Sequence, residues 1–143
     1  MRKAGEDDEA ERAFTEFEKA VLAESLNVDN ANRELTAYYI EEAQNPVEAL
    51  RVANLEMANR QDWRTLYAHA RALHANREFQ AAQESMTKAL AVGVMIPAMK
   101  YHAGVIAKDA GAKNAAKGFF ESAGNRAVCA DLKKRASEAG QAL

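Results

Sequence analysis

Chemically similar residues return after 34 positions through the second half of this chain. The pairs with this spacing are Ala82 and Ala116, Met86 and Phe120, Ala89 and Ala123, Tyr67 and Tyr101, and Ala70 and Gly104. A fixed period of this length is typical of helical hairpins stacked side by side, each covering the apolar face of the next. The period therefore predicts a helical repeat and not a closed globular bundle.

The composition favours helices throughout. Alanine is frequent in the 143 residues, proline occurs twice, and runs of β-branched residues are absent, which disfavours sheets. Stacked hairpins need about three units to share a stable core. The chain is long enough for that number within a single domain.

Apolar residues at helical spacing divide the chain into eight predicted helices. Their predicted ranges are 7–25, 31–43, 46–59, 63–76, 79–92, 97–110, 113–123 and 127–139. The expected start signals are Pro46, Asp62 and Pro97, and the expected stop signals are Gly93, Gly111 and Gly124. Proline suits a first turn, aspartate an N-cap, and glycine a left-handed C-cap.

Two successive units resemble the tetratricopeptide repeat (TPR) family, which repeats a helix A, a turn and a helix B over 34 residues. The matching residues of the first unit are Leu66, Ala70 and Leu73 in helix A and Ala82, Met86 and Ala89 in helix B. Those of the second unit are Gly104, Ala116, Phe120 and Ala123, while Lys100 and Ala107 depart from the pattern. Small residues where A and B cross let the two backbones approach closely.

An earlier unit fits through Leu35, Thr36 and Tyr39 in helix A. Its helix B residues, Ala49, Ala53 and Glu56, are expected to follow an A–B turn that is one residue shorter. The first helix fits a helix B through Ala13, Phe17 and Ala20, with no helix A before it. The chain is interpreted as a piece of a longer array of the kind found in bacterial proteins.

The resemblance implies an all-α, αα-hairpin repeat superhelix, that is, a TPR-like solenoid. It would hold about three repeats plus an unpaired N-terminal helix and a C-terminal capping helix. We expect a single domain over 1–143, divided into a half repeat 1–28, repeats 29–62, 63–96 and 97–130, and a cap 127–143.

In the TPR family the A helices line the inner face of the superhelix. Carried over to this sequence, the resemblance implies a peptide-binding groove lined by Arg33, Arg64, Tyr67, Arg71, His74, Tyr101 and Lys108. Tyr67, Arg71 and His74 share one helical stripe, and Tyr and Arg are enriched at binding hot spots. We expect an extended or helical peptide there, with a carboxylate on Arg33, Arg64 or Arg71. The alternative is that these side chains are only solvated, or that Tyr67 and Tyr101 pack between repeats.

Signatures of catalysis and of metal or cofactor binding are not found. The histidines at 69 and 74 are five positions apart, whereas metal-binding pairs on a helix prefer four, so these two and His102 are interpreted as packing or surface residues. The glycines are scattered and form no phosphate-binding loop. Cys129 is the single cysteine, which excludes a disulfide within the chain. We therefore predict no enzymatic activity, no metal and no cofactor.

Membrane and nucleic-acid partners are also not expected. No stretch reaches the roughly 18 apolar residues of a membrane span, and the charged residues of 1–10 do not resemble a signal peptide. Basic residues are scattered and not interleaved with aromatic ones. A cytoplasmic location is favoured for this chain, and export of a longer parent protein is left open.

The charges of the two halves differ in sign. Residues 1–62 carry seven Lys/Arg and fifteen Asp/Glu, a net charge of −8, and residues 63–143 carry twelve and six, a net charge of +6. This asymmetry could orient a partner or a second copy. The first function we predict is a scaffold that binds a protein or peptide in the groove. The alternative is a structural solenoid that forms homo-oligomers through Phe14 and Phe17 of its N-terminal helix.

Overall fold

The computed structural model describes residues 11–17, 19, 31–93, 96–126 and 130–143. These ranges hold a helical segment over residues 11–17 and seven further helices. The seven are α1 (Asn32–Glu41), α2 (Pro46–Asn59), α3 (Trp63–Ala75), α4 (Phe79–Leu90), α5 (Pro97–Asp109), α6 (Lys113–Arg126) and α7 (Ala130–Gln141). No strand occurs in the described ranges, which confirms the all-α prediction. The predicted turn at 27–30, most of the predicted helix 7–25, and Cys129 lie outside the described residues.

Five of the six start and stop signals expected from the sequence occupy those roles, and Gly124 does not. Asp62 accepts hydrogen bonds from the backbone N–H groups of Arg64 and Thr65, at 2.9 and 3.0 Å. Pro46 and Pro97 open α2 and α5. Gly93 and Gly111 have φ angles of +86° and +88°, a left-handed conformation that costs glycine little. These residues fix where α2, α3 and α5 begin and where two of the turns reverse the chain.

The helix predicted over 113–123 corresponds to α6, and its predicted end before Gly124 is wrong. α6 continues through Gly124 and ends at Arg126. A Cβ atom added at Gly124 would lie 3.8 Å from Cβ of Ala136 in α7. At that distance a methyl group would make an ordinary contact with α7, so Gly124 lies within α6 without marking its end.

The expectation of a shorter first A–B turn is also wrong. The α1–α2 connection spans residues 42–45, one residue more than the connections 76–78 and 110–112. The N–H groups of Glu42 and Ala43 both donate to the carbonyl of Tyr38, at 2.9 and 3.0 Å. The Tyr38 carbonyl thus accepts two hydrogen bonds, and the last turn of α1 accommodates the additional residue. Gln44 then adopts a φ of +49°, where the chain reverses.

The short connections make successive helices antiparallel and pair them as hairpins α1–α2, α3–α4 and α5–α6. We call the first helix of each hairpin A and the second B. Each later A helix also packs on both helices of the preceding hairpin, and α7 packs in the same way on α5 and α6. Among the described helices, α2, α4 and α6 do not contact one another, whereas consecutive A helices do. The stack therefore curves toward the A helices, which line its inner face.

The core lies between A and B helices at the positions that the repeat pattern indicates. Leu66, Ala70 and Leu73 of α3 share a buried cluster with Ala82, Met86 and Ala89 of α4. The corresponding clusters of the other hairpins contain Leu35, Tyr39, Ala49 and Ala53, and Ala107, Ala116 and Phe120. Small residues are fully buried at the crossings because the helix axes approach closely there. The fold is thus an αα-hairpin repeat solenoid.

One core position carries a charge. Glu56 occupies a helix B position of the first hairpin and is 2% exposed. Its carboxylate accepts a hydrogen bond from Nδ2 of Asn32 at 3.0 Å and pairs with Nε of Arg60 at 2.6 Å. A buried carboxylate is tolerated when it is paired and hydrogen-bonded in this way.

Candidate protein-interaction face

The inner face contains two open cavities. The α1–α3 groove has a volume of about 440 Å³ and is lined by Arg33, Glu34, Thr36, Ala37, Ile40, Trp63, Arg64, Tyr67, Ala68, Arg71 and Ile96. The α3–α5 cavity has a volume of about 220 Å³ and is lined by Ile40, Arg71, His74, Ala75, Tyr101, His102, Val105, Ile106 and Arg135. Ile40 and Arg71 line both, so the cavities meet across the Arg71 side chain.

The structure brings six of the seven residues proposed for the groove onto these cavities. Arg33, Arg64, Tyr67 and Arg71 line the α1–α3 groove, and His74 and Tyr101 join Arg71 in the α3–α5 cavity. Lys108 is exposed and lines neither cavity. The helix A positions carried over from the TPR family thus fall on these cavities, except Lys108 near the carboxyl end of α5; a binding role for them stays a prediction.

The α1–α3 groove combines an apolar wall with two arginines. Ile40, Trp63 and Ile96 line it, and Ile96 retains 36% of its surface exposed to solvent. The guanidinium of Arg64 lies over the Trp63 ring, 4.5 Å from its centroid, in a cation–π arrangement. Among the described residues, no carboxylate lies within 4.0 Å of the Arg33 or Arg64 guanidinium. The sequence prediction included neither Trp63 nor Ile96, because neither stands at a helix A position that was carried over from the TPR family.

Arg33 also acts on the cap of α3. Burial alone raises the pKa of Asp62, but hydrogen bonds from the backbone N–H groups of Thr65 and Arg64 and the positive charge of Arg33 outweigh that effect and lower the pKa. Asp62 therefore stays ionised, and it stabilises the start of α3 through the helix dipole. The cap thereby stabilises the first turn of α3, which carries Trp63 and Arg64.

Arg71 is already occupied by an internal carboxylate. Its Nη2 atom lies 2.5 Å from Oε1 of Glu41, and its side chain is only 17% exposed. The guanidinium also lies 5.8 Å from the centroid of the Tyr67 ring. Glu41 sits at the end of α1, so the ion pair joins two consecutive A helices. Of the three arginines proposed to receive a carboxylate, Arg71 is therefore the one whose charge is neutralised in the structure.

Tyr67 and His102 form a second link across the inner face, between α3 and α5. The Tyr67 hydroxyl and Nδ1 of His102 are in hydrogen-bonding contact. Burial raises the pKa of Tyr67 despite the nearby positive charge of Arg71. Burial also lowers the pKa of His102 to about 4, and the charge of Arg71 adds to that effect. At neutral pH a protonated hydroxyl thus faces a neutral imidazole, and we assign the hydroxyl as donor.

His102 is half-buried and paired with Tyr67, a contact that the sequence interpretation did not include. Tyr67 and His102 are separated by 35 positions, as are His74 and Asp109, whose Nε2 and Oδ2 atoms lie 2.6 Å apart. A spacing of one repeat plus one residue places side chains on neighbouring A helices side by side. Applied to the sequence, this rule could have found both pairs. His69 instead packs among helices, contacting Ser85 and Asn54 at 2.8 and 3.0 Å.

Tyr101 packs against side chains of the two following helices. Its ring lies 5.8 Å from the Phe120 ring, and the guanidinium of Arg135 lies 5.0 Å from its centroid. These contacts join α5, α6 and α7. Tyr67 and Tyr101 therefore both contact residues of neighbouring helices, as the alternative interpretation expected.

The described residues hold no cluster of three or more His, Cys, Asp or Glu side chains placed to bind a metal ion. None of the helices in the described part of the chain is both long and apolar enough to cross a membrane.

Comparison with known proteins rests on structure. No model of a known protein family matches the sequence, and no curated protein is similar to it in sequence. The chain superposes on MamA with a TM-score of 0.64 and 16% identity, over 99% of this chain and 92% of MamA. It superposes on PcrH, solved in complex with the chaperone binding region of PopD, with a TM-score of 0.63 and 18% identity, over 78% and 85% of the two chains.

A third structure, a T3SS complex from Aeromonas hydrophila, gives a TM-score of 0.62 and 21% identity, over 78% of this chain and 75% of the other. Identities this low show a shared fold and no more. These neighbours are TPR-like helical repeat proteins. The fold of this chain is therefore that of a TPR-like solenoid.

Proposed function

We propose that this protein binds a segment of another protein on its inner face, and that the α1–α3 groove is the principal contact. The observation that carries the proposal is the combination of an apolar wall with two arginines that form no ion pair within 4.0 Å among the described residues, although Glu34 also lines the groove and Asp62 lies in the field of Arg33. An exposed apolar cleft of this kind is the usual form of a ligand site. The absence of catalytic signatures in the sequence agrees with a binding role.

The groove chemistry favours a ligand that is aliphatic or aromatic on one side and anionic on the other. Ile40, Trp63 and Ile96 offer the surface for an apolar side chain. Arg33 and Arg64 are carried by different helices, one on α1 and one on α3, and each can hold a carboxylate with two parallel hydrogen bonds. A segment with an Asp or Glu side chain, or a terminal carboxylate, close to a large apolar residue satisfies both.

Arg71 has a different role in this proposal from the one expected at first. Because Glu41 already pairs with Arg71 at 2.5 Å, a ligand carboxylate would have to displace Glu41 before it could bind there. Arg33, which is half-buried, and Arg64, which is exposed, form no such ion pair among the described residues. We therefore assign anion recognition to Arg33 and Arg64, and assign Arg71 to holding α1 and α3 together.

The structural neighbours support a binding role. PcrH was solved with the chaperone binding region of PopD, so a solenoid with this fold holds a segment of another protein. The proposal for the present chain extends that property to its own inner face, where the lining residues define the chemistry.

The test is selection of ligands from a library of displayed random peptides. Peptides enriched by the wild-type protein should carry a carboxylate next to a large apolar residue. Their affinity should fall at least tenfold in the variant Arg33→Glu/Arg64→Glu, because each hydrogen-bonded charge pair contributes about 1.5–3 kcal/mol. Arg51→Glu is the matched control, since Arg51 is an exposed arginine on α2, outside both cavities. Enriched peptides that bind the double variant as well as the wild type would remove the groove assignment.

A further inference from the structure

The last helix, α7, has the register of an A helix. It begins 33 residues after α5, at Ala130 against Pro97, and packs on α5 and α6 as α5 packs on α3 and α4. At this spacing Lys133, Ser137 and Gly140 correspond to Lys100, Gly104 and Ala107.

In α5 this set of positions faces helix B of the same hairpin. A Cβ atom added at Gly104 would lie 2.5 Å from Cε1 of Phe120 in α6, and Ala107 is 1% exposed. In α7 the same face is open: Ser137 is exposed, and with α6 it forms a cavity of about 470 Å³. We call this cavity the α6–α7 groove. Phe120 and Ala136 form its floor, although each is only 1% exposed, and Lys117, Lys133 and one carboxylate, Glu121, also line it. No described element of the chain covers it.

The helical segment 11–17 has the pattern of a helix B, whereas α7 has the register of a helix A. Its sequence places Ala13, Phe17 and Ala20 at the small–aromatic–small spacing of a helix B. Phe120, at the corresponding position of α6, is 1% exposed, whereas Phe17 and its neighbour Phe14 are each 49% exposed. Both rings contact Tyr38 of α1, at 5.8 Å for Phe14 and 6.0 Å for Phe17. This is the side-by-side contact of a helix B with the next helix A, and it leaves half of each ring uncovered.

Electrostatics select the orientation in which two copies would meet. Residues 1–62 carry a net charge of −8 and residues 63–143 a net charge of +6. A head-to-tail contact joins the acidic end of one chain to the basic end of another, whereas a head-to-head or tail-to-tail contact joins like charges. At the groove itself, Lys117, Lys133 and Glu121 would face a segment that carries Glu11, Glu16 and Arg12, so a net positive surface would meet a net negative one.

We propose that the helical segment 11–17 of a second copy packs into the α6–α7 groove and serves as helix B for α7. The exposed half of the Phe17 ring would then pack beside Ser137, with the two helices farther apart than α5 and α6, because residue 137 has a side chain where residue 104 has none. Because the two contacting surfaces differ, the association is heterologous and adds one chain after another without closing as a dimer. This interaction uses the outer ends of the solenoid and does not depend on the α1–α3 groove.

The test is sedimentation velocity of the wild-type protein and of two complementary variants. The head variant is Phe14→Ala/Phe17→Ala, and the tail variant is Lys133→Glu/Ser137→Glu, in which both changes fall on exposed residues of α7. The wild type should form oligomers that grow with protein concentration and shorten as salt is added, since charge attraction is screened. Each variant alone should associate at least about tenfold more weakly. The control Lys88→Glu, an exposed lysine on α4, should behave as wild type.

Mixing the two variants gives the decisive result. The head variant keeps an intact α6–α7 groove and the tail variant an intact segment 11–17, so an equal mixture should form dimers of one copy each and nothing longer. Circular dichroism checks that both variants remain helical. If the head variant does not, the tail variant added to wild type should shorten the wild-type oligomers, because it binds a growing end and offers no further groove. A wild type that stays monomeric at every concentration, variants that associate as wild type, or a mixture without dimers would overturn the proposal.

Discussion

The backbone of Gly104 lies directly against the ring of Phe120. A Cβ atom added at residue 104 would lie 2.5 Å from Cε1 and 2.6 Å from Cδ1 of that ring. Phe120 is 1% exposed and also contacts Tyr101, so the ring has little room to move away. This contact sets the distance between α5 and α6, and it explains why a glycine stands inside an otherwise continuous helix.

Gly104→Ala should therefore destabilise the protein although alanine is the better helix former. The methyl group gains about 1 kcal/mol of helix propensity, but displacing a packed aromatic ring costs about 1–3 kcal/mol. We expect a net loss in the free energy of unfolding, measured by urea denaturation. Gly118→Ala is the control, because Gly118 lies in α6 with no atom within 4 Å of an added Cβ, and it should stabilise the protein. A Gly104→Ala variant as stable as Gly118→Ala would contradict the close packing.

The A–B turns provide a second prediction. Gln44, Arg77 and Gly111 lie at the same point of the three hairpins, with φ angles of +49°, +64° and +88°. The left-handed region costs a residue with a Cβ atom about 1–2 kcal/mol. Gly111→Ala should therefore lower the thermal unfolding midpoint, and Arg77→Gly should raise it. The reverse order of the two midpoints would contradict the assigned turn geometry.

Acidification should destabilise the fold through His102. Its pKa is about 4 in the folded state, because of burial and the charge of Arg71, against 6.5 for an unperturbed histidine. Between those values the unfolded chain binds more protons, so stability is complete above about pH 6.5 and falls as the pH drops toward 4. The pKa of His69 is lowered as well, chiefly by burial. Its protonation in the unfolded chain therefore also reduces the stability of the fold as the pH falls.

The measurement is urea denaturation at pH 7 and at pH 4.5, for the wild type and for His102→Gln. The wild type should lose on the order of 2 kcal/mol between the two pH values through this group. Glutamine retains an acceptor for the Tyr67 hydroxyl but does not titrate, so the variant should lose less. An equal loss in both proteins would show that His102 is not the group responsible.

Glu56 tests the buried polar contact of the first hairpin. The repeat pattern favours a small residue at this position, but the carboxylate is bonded to Asn32 and Arg60. Glu56→Ala should therefore destabilise the protein by about 1–3 kcal/mol, because the Asn32 amide loses its carboxylate partner in a buried site. The replacement Glu56→Gln keeps an acceptor and should cost less. If the Glu56→Ala and Glu56→Gln variants had the same free energy of unfolding, the hydrogen bond to Asn32 would not contribute to the stability of this hairpin.

The sequence predicted the features that depend on local chemistry. Pro46 and Asp62 located the starts of α2 and α3, and the 34-residue period located buried residues such as Ala82 and Met86. The end of α6 was misjudged because a glycine can stand inside a helix as well as at its C-cap, and the local sequence around Gly124 does not distinguish the two positions. The A–B turn of the first hairpin was misjudged because its length depends on how α1 closes at Tyr38.

The inner face was only partly predictable for a different reason. Residues such as Arg33 and Arg64 were placed by their correspondence to helix A positions of the TPR family. The partners Glu41 of Arg71 and His102 of Tyr67 come from neighbouring repeats, and their contacts depend on the angle between consecutive A helices. That angle is a property of the packed stack, so no local pattern indicates that Arg71 is neutralised internally.

The most direct test of the central claim uses Trp63, the single tryptophan of the chain, which lines the α1–α3 groove. A peptide selected for binding is titrated against the protein while quenching of Trp63 fluorescence by acrylamide is measured. The account predicts that quenching decreases and saturates at the same peptide concentration as binding measured by calorimetry, and that Arg33→Glu/Arg64→Glu abolishes both changes. Binding that saturates by calorimetry while Trp63 stays as accessible to acrylamide as in the free protein would contradict the claim that this groove is the binding site.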